Sequence, residues 1–134
     1  MMEKGTAYIG ADIHDGSSLY TGMALTIGVD DTIDIASVQD ISSKWTVQHL
    51  DGGIIQPGYV DLQVNGGGGV MFNDDQSVDA LRTIALAHAR CGTCAILPTL
   101  ITDTFPKTAA AIDAVALAIQ LGVPGIIGIH LEGP

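Results

Sequence analysis

Five polar side chains in three short runs carry most of the chemistry open to this sequence: Gln63 with Asn65, Thr99, and His130 with Glu132. Glu132 is one of only two glutamates, the other being Glu3. A carboxylate at a strand end is a good hard ligand for a divalent cation. On spacing alone, a capping or turn carboxylate ahead of Gly133 is the competing reading. His130 stands two residues earlier, and residues two apart on a strand share a side. It reads either as a group facing or supporting a site, or as a structural histidine. Gln63 and Asn65 are also two apart and can face the same space. Both are neutral amides, whose oxygens are weaker ligands than imidazole for zinc-like ions. Their alternative reading is as ordinary polar residues at a strand end.

Other motifs point elsewhere. The Gly66–Gly69 run is not followed by Lys-Ser/Thr, and no helix pattern starts directly after it, so it does not fit a P-loop. A loop with unusual backbone angles is expected there. Cys91-Gly92-Thr93-Cys94 has CxxC spacing. Its first Cys falls at a helix C-terminus, whereas the dipole that lowers a thiol pKa acts at the N-terminus. No second CxxC completes a zinc site, and the pair is expected to be buried as small hydrophobes. His14, His49 and His88 are expected to be structural or exposed.

The elements that must position these groups divide near Pro57, giving residues 1–56 and 57–134. Up to Gln56, Thr6–Ile9, Met23–Val29, Thr32–Val38 and Thr46–Leu50 carry β-branched residues in loose alternation, with Asp15-Gly16, Asp30-Asp31 and Asp51-Gly52-Gly53 as turns. This half predicts a small antiparallel sheet or sandwich. After Pro57 the spacing predicts a strand over Tyr59–Val64, then a helix capped by Ser77 with Asp79 in its first turn. Leu81, Ile84 and His88 lie on one face of that helix, which ends by Gly92. A strand over Cys94–Leu97, stopped by Pro98, is followed by a second helix capped by Thr104 and tolerating Pro106 in its first turn. Ile112, Val115, Ala116 and Ile119 define the buried face predicted for it. A third strand is predicted over Ile126–Leu131. The order β-loop-α-β-α-β is that of an α/β fold with a parallel sheet. In such a sheet functional groups gather at the carboxyl ends of the strands, where the five residues fall.

Composition narrows the class. The 134 residues carry a formal charge of -10, from 5 Lys+Arg against 15 Asp+Glu, and 47% are hydrophobic. So apolar a chain is not a disordered acidic tail. No basic stripe exists to neutralise nucleic-acid phosphates, and the acid excess disfavours anionic membranes. Met1-Met2-Glu3-Lys4-Gly5 does not open a signal segment, and no apolar run reaches the roughly 18 residues of a membrane span. Two cysteines without an export signal predict a cytoplasmic setting. The length suits one domain but falls short of the about 250 residues of a (β/α)8 barrel.

The runs Pro57-Gly58-Tyr59-Val60-Asp61-Leu62-Gln63-Val64-Asn65-Gly66, Phe72-Asn73-Asp74, Leu97-Pro98-Thr99-Leu100-Ile101-Thr102 and His130-Leu131-Glu132-Gly133-Pro134, in this order and spacing, resemble the N-acetylglucosamine-6-phosphate deacetylases of the amidohydrolase superfamily. The resemblance covers nearly the whole chain, weakly before Gly53. It implies a metal-dependent hydrolase releasing acetate from N-acetylglucosamine 6-phosphate, and a (β/α)8 barrel preceded by part of a small β-sandwich. Residues 57–134 would be the opening strands of that barrel. The resemblance makes Glu132 a metal ligand, with Gln63, Asn65 and His130 lining the active site. Many amidohydrolases carry His-x-His where Gln63 and Asn65 stand, so one divalent ion, zinc or iron(II), is expected rather than two. It also implies a homodimer acting on a small amino-sugar phosphate. Two further histidine ligands and an aspartate base would follow position 134. The competing expectation is therefore a non-catalytic N-terminal fragment, and another amidohydrolase is a second alternative.

Overall fold

A computed structural model describes residues 4–133; Met1–Glu3 and Pro134, the last residue of the His-Leu-Glu-Gly-Pro run, lie outside the described residues. The chain forms two compact units that meet between Pro57 and Gly58, with mixed α/β content.

The N-terminal unit holds β1 (Gly5–Ile9), β2 (Asp12–His14), β3 (Leu19–Tyr20), β4 (Met23–Ile27), β5 (Ile33–Ser37), β6 (Trp45–His49) and β7 (Ile54–Ile55). They make two sheets, ordered β5-β4-β1-β6 and β3-β2-β7. The expectation of an antiparallel sheet holds for β1–β4, β4–β5 and β2–β3 but needs correction elsewhere: β1 pairs β6 in parallel, and so does β2 with β7. The cause is a shared bend. Two ribbons run side by side from one sheet into the other, tied by Leu50 N–H to Ile9 O, Gly52 N–H to Gly10 O and Asp12 N–H to Gly53 O. Gly10 turns this corner at φ 92, and a Cβ there would sit 2.3 Å from Leu50 O. Only glycine fits such a crossing.

The C-terminal unit holds β8 (Tyr59–Val64), the short strands β9 (Gly66–Gly67) and β10 (Val70–Met71), α1 (Val78–Ala89), β11 (Thr93–Ile101), α2 (Phe105–Gln120) and β12 (His130–Glu132). β8, β11 and β12 form a parallel sheet in the order β12-β11-β8. The core beneath it gathers Val64, Phe72, Leu81, Ile84, Ile96, Leu100, Val115 and Ile126.

Three expectations are revised here. β11 does not stop at Pro98 but runs to Ile101. Pro98 lacks an N–H, and it falls where the β8–β11 register shifts, between Ile96 and Pro98. Central strands tolerate proline only at such irregularities. Beside this shift the Thr99 hydroxyl, rather than a backbone carbonyl, accepts the Val64 N–H at 2.9 Å. The third strand is shorter than predicted: Ile126 makes an isolated bridge to Ile96, and regular pairing resumes at His130. Between them Gly128 passes so close to Leu97 that a Cβ would lie 2.9 Å from its Cδ2. Finally, α2 buries Ala111, Ala114, Val115 and Ala118, leaving Ile112, Ala116 and Ile119 of the predicted face exposed. The helix is apolar on most sides, so the pattern admits two faces one residue apart. The small alanines let the backbone approach its neighbours.

α1 follows its capping signal. The Ser77 hydroxyl accepts the Ala80 N–H at 3.1 Å. Thr104 occupies the same position at α2 but makes no side-chain capping bond. Ser77→Ala should therefore cost about 1 kcal/mol in denaturant unfolding, the usual loss of a working cap. Thr104→Ala should change the midpoint far less; equal losses at the two positions would refute this assignment.

Candidate functional site

The sheet order brings the sequence-selected side chains to one end of β8, β11 and β12. β8 ends at Val64, β11 carries Thr99 in register with His130, and Ile101 is in register with Glu132. Across this end the Gln63 amide Nε2 donates to Glu132 Oε2 at 3.0 Å, a contact spanning 69 residues of sequence. Both side chains are exposed. The bond orients the carboxylate and leaves its second oxygen open. The backbone of Glu132 is held as well: Thr102 N–H and Thr102 Oγ both donate to Glu132 O, at 3.1 and 2.9 Å. Gly133 follows at φ 84, where a Cβ would lie 2.8 Å from Thr102 Oγ. The glycine after Glu132 thus leaves room for the threonine that holds it.

Asn65 and His130 are half-buried, and each keeps one buried polar atom without a partner, Asn65 Nδ2 and His130 Nδ1. Native proteins rarely leave such atoms unbonded unless a ligand, ion or water completes them. Thr99 is fully buried, and its hydroxyl also donates to Leu97 O at 3.1 Å. That makes it a splice between strands rather than a group facing solvent.

The glycine run forms the hairpin β9–β10, turned by Gly68 at φ 63 and Gly69 at φ 84. Two successive positive φ angles match the tight turn that suits twisted strands. Gly67 and Gly68 lie flush on α1, where added Cβ atoms would meet His88 Cδ2 at 3.0 Å and Thr83 Cγ2 at 2.9 Å. His88 Nε2 bonds Gly66 O at 3.0 Å, so its role is structural. His14 Nδ1 accepts the Gly16 N–H at 3.1 Å in a turn, and His49 is exposed on β6. Cys91 and Cys94 are free thiols, and both are exposed. The expectation of buried cysteines fails at Cys94 because this second residue of β11 lies beside Gly58, which has no side chain to cover it: a Cβ on Gly58 would lie 2.7 Å from that of Cys94.

A polar cluster beside the strand ends went unnoticed in the sequence. Asn73, Asp103 and Lys107 join there, with Lys107 Nζ 3.1 Å from Asp103 Oδ2. The Thr104 N–H, the Asn73 amide and Lys107 hold the Asp103 carboxyl below its ordinary pKa. The available signal was an acid just before a helix with a lysine four residues on.

A cavity of about 620 Å³ lies elsewhere, in the N-terminal unit, lined by apolar side chains of both its sheets, among them Ile13, Met23, Leu25, Ile35 and Ile55. It contains none of the strand-end group. We place the candidate site at the strand ends because the orphaned polar atoms and the Gln63–Glu132 bond lie there. Among the described residues no three His, Cys, Asp or Glu side chains come together in a way that could hold a metal ion. At the strand ends Glu132 is a single carboxylate, with one oxygen bonded by Gln63.

No family model matches the chain. It is 51% identical over 98 residues to N-acetylgalactosamine-6-phosphate deacetylase of Shewanella sp. (strain ANA-3), covering 70% of this chain and 25% of that protein. It is 35% identical over 85 residues to N-acetylglucosamine-6-phosphate deacetylase of Haemophilus influenzae, covering 63% of this chain and 22% of that one. The crystal structure of N-acetylglucosamine-6-phosphate deacetylase from Pasteurella multocida superimposes with a TM-score of 0.91 at 32% identity, over 97% of this chain and 34% of that chain. The chain spans about a quarter of the length of these curated relatives. Its sequence and fold match the N-terminal portion of amino-sugar 6-phosphate deacetylases.

Proposed function

We propose that this chain supplies the small β unit and the first three barrel strands of a metal-dependent hydrolase that removes the acetyl group from an N-acetylhexosamine 6-phosphate. The observation that carries the reading is the Gln63–Glu132 bond at the carboxyl ends of a parallel sheet, within the deacetylase-like fold. Glu132 would hold one divalent cation, zinc or iron(II), and Gln63 keeps its carboxylate aimed. A cation bound there supplies Lewis-acid polarisation of the acetamide carbonyl and a more acidic water. Gln63 and Asn65 serve as hydrogen-bond donors to solvent or substrate, and the unpartnered Nδ2 of Asn65 is free for that task. His130 lines the same space and contributes its unpartnered Nδ1. The remaining metal ligands and the proton-transferring base are expected on other strand ends of the barrel. The acidic, membrane-span-free composition suits a cytoplasmic enzyme, and a homodimer is the expected assembly.

The amino sugar itself has two readings. The motif resemblance is to deacetylases named for the gluco epimer, whereas the 51% identity is to an enzyme named for the galacto epimer. The test is acetate release by the complete protein from both N-acetylhexosamine 6-phosphates, with zinc or iron(II) added. Turnover of either supports the reading, and the ratio of kcat/KM assigns the epimer. No turnover of either by metal-loaded protein would sink it. Metal analysis should find one tightly bound ion per subunit; two would refute the role given to the amides.

A further inference from the structure

β8 ends at Val64, opposite Pro98, whereas β11 continues to Ile101. The last turn of β11 therefore has no β8 backbone beside it. The Asn73 side chain occupies that place. Its Oδ1 accepts the Ile101 N–H at 2.9 Å and its Nδ2 donates to Ile101 O at 3.0 Å. These are the two backbone groups that a neighbouring strand would engage, and together they fix which way the amide faces. Nδ2 also donates to Asp103 Oδ2 at 3.2 Å. Lys107 Nζ closes the ring, donating to Asp103 Oδ2 at 3.1 Å and to Asn73 O at 3.0 Å. On the far side, Ile101 is in register with Glu132, and its neighbour Thr102 binds Glu132 O twice. On the near side, Phe72 N–H donates to Asn65 O at 2.9 Å.

We propose that Asn73 is a positioning residue for the strand-end site: its amide splices the loop bonded to Asn65 onto the end of β11 that holds Glu132. Beyond the β8–β11 pairing this amide adds the tie that holds the loop after Asn65 to the end of β11, and Asp103 with Lys107 keeps that amide in place. What the site does rests on the proposed function; the splice itself does not.

Amide hydrogen exchange in the full chain tests the splice without any metal. Asn73→Ala should speed exchange of the Ile101 amide by roughly tenfold or more, as expected for the loss of a bonded partner. Asn73→Asp keeps an acceptor but sets a carboxylate against Asp103 and Ile101 O, and should exchange at least as fast. Adding Asp103→Asn to Asn73→Asp restores an acceptor–donor pair beside Lys107 and should recover much of the protection. If the alanine variant fails to fold, Asn73→Ser, whose hydroxyl is too short to span both Ile101 groups, takes its place. In the complete protein Asn73→Ala should weaken metal affinity by roughly ten- to a hundredfold, the usual effect of losing an outer partner, and lower kcat more than it raises KM. Unchanged exchange at Ile101, or lowered stability with unchanged metal affinity and kcat in a wild type that binds metal, would overturn the proposal. A wild type that neither binds metal nor releases acetate would instead sink the functional reading, while the exchange data still decide the splice.

Discussion

If the proposed function holds, Glu132→Gln is expected to strip tightly bound metal from the complete protein and to lower kcat/KM for the proposed N-acetylhexosamine 6-phosphate by about 10³-fold or more, since a metal Lewis acid contributes several kcal/mol of transition-state stabilisation. The substitution is nearly isosteric, so it removes charge with little change in volume. The backbone of Glu132 stays pinned by Thr102, and that contact does not depend on the side chain. Gln63 still meets an amide oxygen at position 132. Unfolding should therefore move by less than 1 kcal/mol, as for exposed substitutions generally. This dissociation of activity from stability separates a ligand from a turn carboxylate. A capping carboxylate would show the reverse: a modest stability loss and an unchanged metal content. Metal analysis and acetate release on the same preparation decide it. Retention of stoichiometric metal and near-native turnover would end the case for Glu132.

Glu132 was legible in the sequence because strand ends are legible: a short apolar run, a polar residue and a glycine mark the place whatever surrounds it. Gln63 and Asn65 were legible for the same reason, as was the Ser77 cap. Their mutual geometry was not. Nothing in the spacing says that Gln63 reaches Glu132 across β11 rather than the neighbouring strand. The failures have a common physical root. Proline's missing N–H predicts a strand stop at Pro98, yet that missing donor falls at a register shift, and the Thr99 hydroxyl one residue later accepts the Val64 N–H in place of a backbone carbonyl. Asn73 passed as part of a loop for the same reason: a side chain acting as backbone leaves no periodic trace. The parallel pairing of β1 with β6 depends on a corner at Gly10, visible as a glycine but not as a crossing. Periodicity reports which face is buried, and in an α2 rich in alanine and isoleucine even that is ambiguous by one residue.

The largest stability loss is expected at the loop that carries Asn73. Phe72 is fully buried in the core formed with Val64, Leu81, Ile84 and Leu100. Its backbone is equally committed, with its N–H on Asn65 O and its carbonyl accepting Gln76 Nε2 at 2.7 Å. Phe72→Ala removes a ring from between helix and sheet, and should destabilise the C-terminal unit by about 3–5 kcal/mol, the range for burying a void where an aromatic stood. Phe72→Leu fills more of that space and should lose markedly less. The denaturant midpoint should fall while the slope stays constant, because the same surface is exposed on unfolding. The functional consequence differs from that of Glu132→Gln. A ring that anchors the loop between Asn65 and Asn73 should affect metal affinity only where the loop loosens, so the leucine variant should keep its metal while the alanine variant weakens it. A midpoint unchanged by Phe72→Ala would mean that the loop is not seated on the core, and would remove the rigid base that the Asn73 splice requires.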